Sequence, residues 1–160
     1  MKTFPLNSTL AGVFLLSLAL GAWWVFFLSN PEGRIRTAIK EGGGAIETGD
    51  LEGAMSHVST DYRDEKGLTY LVVKRLLRDA FDQFDHFEIE MEDPEIEFVK
   101  GEDPGAWARF DLRLFVELEG RRGLLVGSLD EPAHLEIFFI KKPWGWLVRE
   151  IRGVRPPSGG

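Results

Sequence analysis

The sequence predicts an α+β domain of about 130 residues, the size of one ordinary domain, behind a single apolar N-terminal helix. Three patterns in the 160-residue chain carry that expectation. Leu10 to Leu28 contains no charged residue and is the one run of its kind. From Asn30 to Phe84 apolar residues recur at helical spacing; from His86 onward they alternate with polar ones at a period of two. Helices first and antiparallel strands afterwards is the order of an α+β fold.

As a helix rising 1.5 Å per residue, the apolar run would cover about 28 Å, close to the ~30 Å hydrocarbon core of a bilayer. The basic start of a secretory signal peptide is reduced here to Lys2 and the terminal amine, and Ala19-Leu20-Gly21 is a weak cleavage site. Cutting there would leave Ala22 to Leu28 as an apolar N-terminus. An uncleaved signal-anchor is therefore expected, with Trp23 and Trp24 near one membrane interface. Residues 1–29 are assigned to the tail and transmembrane signal-anchor, 30–154 to the folded domain and 155–160 to a disordered tail. Arg34, Arg36 and Lys40 follow the span, which by charge alone places the domain in the cytoplasm. A short tail running straight into a long apolar run is also the form of exported bacterial single-span proteins. On that analogy the soluble domain is expected to be periplasmic.

The domain opens with Asn30 as N-cap, Pro31 at the first helical position and Glu32 in the first turn. Ile35, Ala38 and Ile39 share one face. Gly42-Gly43-Gly44 should weaken or break this helix, since each interior glycine costs about 1 kcal/mol. Asp50 caps a short helix from Leu51 to about Ser59. The polar turn Ser59 to Gly67 precedes a longer helix, about Leu68 to Phe84, with a broad core-facing stripe that includes Leu68, Leu71, Val72, Leu76, Ala80, Phe81 and Phe84. Phe87, Ile89 and Met91 then alternate with glutamates in a half-exposed strand. A second strand carries Ile96 and Phe98, and a third runs from Ala106 to Glu119. Gly120 to Gly123 reads as a turn, with a strand beginning at Leu124. His134 to Lys142 and Trp146 to Val154 form a closing hairpin around Pro143-Trp144-Gly145.

With 26 acidic against 19 basic residues the net charge is -7, and every charged residue except Lys2 lies after the apolar run. An acidic domain repels phosphate backbones, so no nucleic-acid partner is expected. The absence of cysteine excludes disulfides, thiolate metal sites, a cysteine nucleophile and a lipidated N-terminal cysteine.

Four local features in order resemble the nuclear transport factor 2-like superfamily, which includes ketosteroid isomerase and scytalone dehydratase. They are Ile46-Glu47-Thr48-Gly49-Asp50-Leu51, Ser59-Thr60-Asp61-Tyr62-Arg63-Asp64, the helix bearing Phe81 and Phe84, and the terminal Lys142-Pro143-Trp144-Gly145-Trp146-Leu147-Val148. The resemblance covers about Glu32 to Val154. It implies a cone: a curved antiparallel sheet packed on about three helices around a pocket. Members of the superfamily include isomerases, dehydratases, small-ligand binders and assembly domains, so the fold does not choose the function.

Isomerase chemistry of that kind needs a carboxylate base in an apolar cavity facing hydrogen-bond donors. Asp61, Asp64 and Asp111 are the candidates. Asp61 and Asp64 are more simply turn and cap residues, and Asp111 should point away from the core face of its strand. Dehydratase chemistry needs histidine with acidic and tyrosine partners. His57, His86 and His134 are far apart in sequence and lack metal-ligand spacing. Asp79, Asp82 and Asp85 do not fit a calcium loop and read as a solvated face. Gly42-Gly43-Gly44 lacks the lysine and the preceding strand of a phosphate loop. No catalytic residue, metal ligand or cofactor is assigned. The aromatic residues Tyr62, Phe84, Trp107, Phe110, Phe138 and Trp146 are the candidate pocket lining, with Asp61, Asp64 and His134 as candidate polar groups.

The expected function is a membrane-tethered, non-enzymatic domain that binds a small apolar ligand or a protein partner of the cell envelope. A small isomerase or dehydratase is one alternative. An assembly subunit forming a homodimer through its sheet is the other.

Overall fold

The structure, a computed structural model, describes residues 16–21 and 30–153. The chain divides into two compact units, Met1–Gly33 and Arg34–Gly160. In the first, residues 16–21 are helical, and Leu16, Leu18 and Leu20 are exposed. The remainder of the Leu10 to Leu28 run, and with it most of the expected anchor, lies outside the described residues, as does the 155–160 tail. Among the described residues no helix is long and apolar enough to cross a membrane.

Helix α1 spans Pro31–Glu47, α2 Leu51–Ser56 and α3 Tyr70–Gln83. The start of α1 is as read: Asn30 Oδ1 accepts the Gly33 N–H at 2.9 Å. The expected break at Gly42-Gly43-Gly44 does not occur, and α1 continues to Glu47. The helix is held on both sides of the triplet. Ile35, Ala38 and Ile39 are buried before it. After it, the Glu47 carboxylate accepts the Ile89 N–H at 2.9 Å. Such tertiary contacts outweigh the roughly 3 kcal/mol that three glycines cost in propensity.

The Asp50 carboxylate caps α2, accepting the Gly53 N–H at 2.9 Å. Helix α3 starts at Tyr70, two residues later than read. Asp64 Oδ1 accepts the N–H groups of Lys66 and Leu68 at 2.9 and 2.8 Å, and so holds this stretch in a turn. No residue of α3 is fully buried.

The strands are β1 His86–Met91, β2 Glu95–Val99, β3 Gly105–Leu118, β4 Arg121–Val126, β5 Ala133–Lys142 and β6 Gly145–Arg152. All pairings among them are antiparallel, and β3 is the spine. One edge of β3 carries β2 and then β1; the other carries β5 and then β4; β6 pairs with β5. Strand β4 begins three residues earlier than read. Glu119 and Gly120 both have positive φ (52° and 74°) and form a two-residue hairpin turn that sets Leu118 opposite Arg121.

Period-two alternation assigns the faces of the sheet. Ala106, Ala108 and Phe110 of β3, Leu135, Ile137 and Phe139 of β5, and Trp146 and Val148 of β6 are buried in one core with Ile35, Ala38, Ile39 and Tyr62. The opposite face carries ion pairs. Arg109 reaches Glu97 at 2.7 Å and Glu136 at 2.9 Å. Hydrogen bonds that it donates to Glu97 first and Glu136 second hold its guanidinium pKa above the ordinary value.

Candidate functional site

A β-bulge prepares the site. Phe139 pairs with Val148 and Phe138 with Glu150, so Arg149 is an extra residue in β6. The outer edge of β6 then binds the segment following α2. Val148 N–H donates to His57 O at 2.8 Å, Ser59 N–H donates to Val148 O at 2.8 Å, and Arg63 N–H donates to Arg149 O at 3.0 Å. These bonds end α2 before the expected Ser59 and hold His57 and Tyr62 against the interior.

Two chambers lie between the helices and the sheet. The first has a volume of about 270 Å³. Its wall takes Gly42, Gly43 and Ile46 from α1, Met55 from α2, and Val73 and Leu77 from α3. The sheet adds Ile89, Met91, Phe110, Leu114, Phe139 and Ile151, among others. Among the described residues, His57 supplies its single polar side chain. His57 Nε2 lies 3.6 Å from Glu41 Oε2.

The second chamber, about 310 Å³, is lined by Tyr62, Asp64, Glu65 and Lys66 together with apolar residues that include Leu68, Leu76, Phe87 and Leu125. Tyr62 is 5 % exposed. Burial, and then the charges of Asp64 and Glu150, push its phenol pKa up to about 12, against a backbone hydrogen bond at Ile151. The phenol therefore keeps its proton at neutral pH and can donate it in a hydrogen bond. Ile46, Val73, Leu77, Leu114 and Ile151 belong to the walls of both chambers.

The structure divides the nine residues singled out from sequence among several places. Phe110 lines the first chamber, and Tyr62 and Asp64 line the second. Trp146 is buried in the core against Phe98, their ring centroids 6.0 Å apart. Phe84 ends α3 and packs edge-on against Phe87 at 6.0 Å. Trp107 and Phe138 meet at 5.0 Å on the opposite face of the sheet, where Arg152 lies 4.4 Å from the Trp107 ring. His134 is on that face too, its Nδ1 2.9 Å from Asp111 Oδ1. Asp61 is exposed, its carboxylate 3.8 Å from Lys142 Nζ. Strand parity explains the split. Trp107 and Phe110 are an odd number of residues apart in one strand, and Phe138 is offset by one from Phe139.

His57, Met55 and Met91 are chamber residues that sequence reasoning read as helix or strand positions; Val73 and Leu77 lie outside the stripe expected for their helix, whose Leu71, Val72 and Leu76 are instead exposed. The spacing of chamber residues carries the same signal whether they fill a core or line a space. Among the described residues no group of three or more histidine, aspartate or glutamate side chains is placed to hold a metal ion.

No protein-family model matches the chain, and no curated protein matches it in sequence. Solved structures do match in shape. A candidate scytalone dehydratase from Novosphingobium aromaticivorans superposes with a TM-score of 0.64 at 14% identity, covering 81% of this chain and 94% of that one. A nuclear transport factor 2-like superfamily protein from Salmonella enterica serovar Typhimurium gives 0.63 at 15% identity, over 82% and 94%. A conserved protein from Planctomyces limnophilus gives 0.62 at 20% identity, over 78% and 96%. The residues from α1 to β6 thus form an α+β domain with helices laid across a curved antiparallel sheet. That is the nuclear transport factor 2-like fold.

Proposed function

We propose that this chain is a membrane-tethered, non-enzymatic module that binds a small apolar ligand inside its cone, on the periplasmic side of the membrane. The observation that carries the ligand reading is the first chamber, about 270 Å³ of space walled by carbon except at His57. An apolar molecule entering it would gain about 25 cal/mol for each Å² of apolar surface removed from water. The tether rests on the charge-free Leu10 to Leu28 run, long enough to span a bilayer as a helix.

The test uses the only two methionines after the apolar run, because Met55 and Met91 both line that chamber. The full-length chain, labelled with ¹³C at the methionine methyls and held in detergent, is titrated with cyclohexane, which has no polar head to hold it in the second chamber. Saturable shifts of the Met55 and Met91 methyls, with Met1 as internal reference, are the expected result. Shifts that grow linearly for all three methyls would sink the reading. Reporter fusions at the C-terminus test the side of the membrane; a cytoplasmic signal overturns the periplasmic assignment.

One observation favours a second reading, a small isomerase or dehydratase. His57 lines the first chamber with its Nε2 3.6 Å from Glu41 Oε2, and Tyr62 lines the second. A histidine beside a carboxylate is one part of a general-base arrangement. Turnover of an apolar ketone or alcohol that His57→Ala abolishes, with the methionine shifts retained, would select this reading over the first.

A further inference from the structure

We infer that the two chambers form one elongated site for a single-chain lipid with an uncharged, hydrogen-bond-accepting end, such as a long-chain alcohol or ester. The inference rests on the ligand-binding reading above and gives that ligand a length, a direction and a head group.

Length comes from the shared wall. Ile46, Val73, Leu77, Leu114 and Ile151 border both spaces, so side chains alone divide them. Two of the five, Val73 and Leu77, stand on α3, the helix with no fully buried residue. A partition carried on so lightly seated an element yields at low cost. Each chamber alone is at or below the small end of ligand sites, roughly 300–1,000 Å³, whereas the joined space falls within that range.

Direction comes from polarity. Among the described residues the first chamber offers only His57, whose Nε2 lies toward Glu41. The second gathers Tyr62, Asp64, Glu65 and Lys66. The tail therefore belongs in the first chamber and the head in the second. Asp64 and Glu65 outnumber Lys66 there, which disfavours a carboxylate or phosphate head. The Tyr62 hydroxyl is a donor suited to a hydroxyl, carbonyl or ester oxygen. Leu76 lines this chamber while 52% exposed and, with exposed Val72, gives an apolar chain a lip to cross on entry.

The experiment is photolabelling of the full-length chain in detergent micelles with alkanols of six and fourteen carbons, each bearing a diazirine at the end remote from the hydroxyl. The long probe should mark the first chamber at or beside Met55 and Met91. The short probe should mark the second, around Leu68 and Leu76. Leu77→Trp, which plugs the passage, should cut first-chamber labelling by the long probe at least ten-fold more than it cuts second-chamber labelling by the short probe, and circular dichroism reports that the variant is folded. The matching fourteen-carbon carboxylate should label at least ten-fold less than the alkanol. If both alkanols mark the same chamber, or Leu77→Trp has no effect, the single elongated site is wrong even where the methionine shifts stand. Equal labelling by the carboxylate refutes the uncharged head. Loss of all labelling together with silent methionine methyls removes the underlying ligand reading instead.

Discussion

Replacing the glycines of α1 one at a time tests why this helix tolerates three of them in a row. An interior glycine costs a helix about 1 kcal/mol relative to alanine. At Gly44 an added Cβ meets nothing within 4 Å, so Gly44→Ala should gain the full amount, about 1 kcal/mol. At Gly42 the nearest atom is His57 Cδ2 at 3.8 Å, an ordinary contact, and the same gain is expected. At Gly43 the Cβ would stand 3.1 Å from Met91 Cε and 3.8 Å from Ile89 Cδ1. The Met91 methyl must give way, which reduces the gain to about 0.5 kcal/mol. For a domain of this size, 1 kcal/mol is about 3–5 °C in melting temperature. Thermal and urea denaturation of the full-length variants, followed by circular dichroism in one detergent, measure these differences. The ligand titration separates the sites further. Gly43→Ala places a methyl in the first chamber and should weaken cyclohexane binding, whereas Gly44 does not line that chamber and its variant should bind as the parent does. A neutral or destabilised Gly44→Ala would refute a continuous α1 through the triplet. Equal binding by the two variants would refute the idea that the missing side chains make the space.

Three further outcomes are expected. Phe139 is 1 % exposed, and Phe139→Ala should cost about 3–5 kcal/mol in urea unfolding, an interior truncation rather than a surface one. The Tyr62 phenol, raised from 10.0 to about 12, keeps its proton in the folded chain after the unfolded chain has lost it. Its contribution is whole below pH 10 and is lost as pH rises through 12, a change on the order of 2–3 kcal/mol that unfolding midpoints across this window should show and Tyr62→Phe should abolish. Glu119 holds a φ of 52°, and Glu119→Asn, better suited to the left-handed region, should raise stability by about 0.5–1 kcal/mol in the same assay; a lower midpoint would count against the hairpin geometry.

Signals confined to neighbouring residues were legible in the sequence. Asn30 and Asp50 cap helices as read, because a capping side chain reaches only three residues along the chain. The alternation from Ala106 to Phe110 separates core from outer face for the same reason, whereas beyond the irregularity at Leu114 and Phe115 both Phe115 and Val116 are buried. What depends on distant partners was not legible. Nothing near Gly42 to Gly44 announces that Ile35 on one side and Glu47 on the other hold the helix across them. Nothing in Phe138-Phe139 says which ring turns inward, since only pairing with Val148 and Glu150 fixes it. The turn at Glu119-Gly120 places a glutamate where asparagine or glycine is the usual signal, so the start of β4 was displaced. The chambers are the hardest case. Isoleucine, leucine, valine and methionine at core spacing read the same whether the space they face is filled or empty.

The strip from His57 to Arg63 has a consequence beyond positioning Tyr62. By occupying the outer hydrogen-bonding groups of Val148 and Arg149, it acts as a guard along a margin that would otherwise recruit a stray strand from another molecule. Proteolytic nicking there, or a proline at Ser59 that deletes its donor, would leave that margin bare. The damaged chains would then stick to one another in register, polymerising faster as their concentration rises.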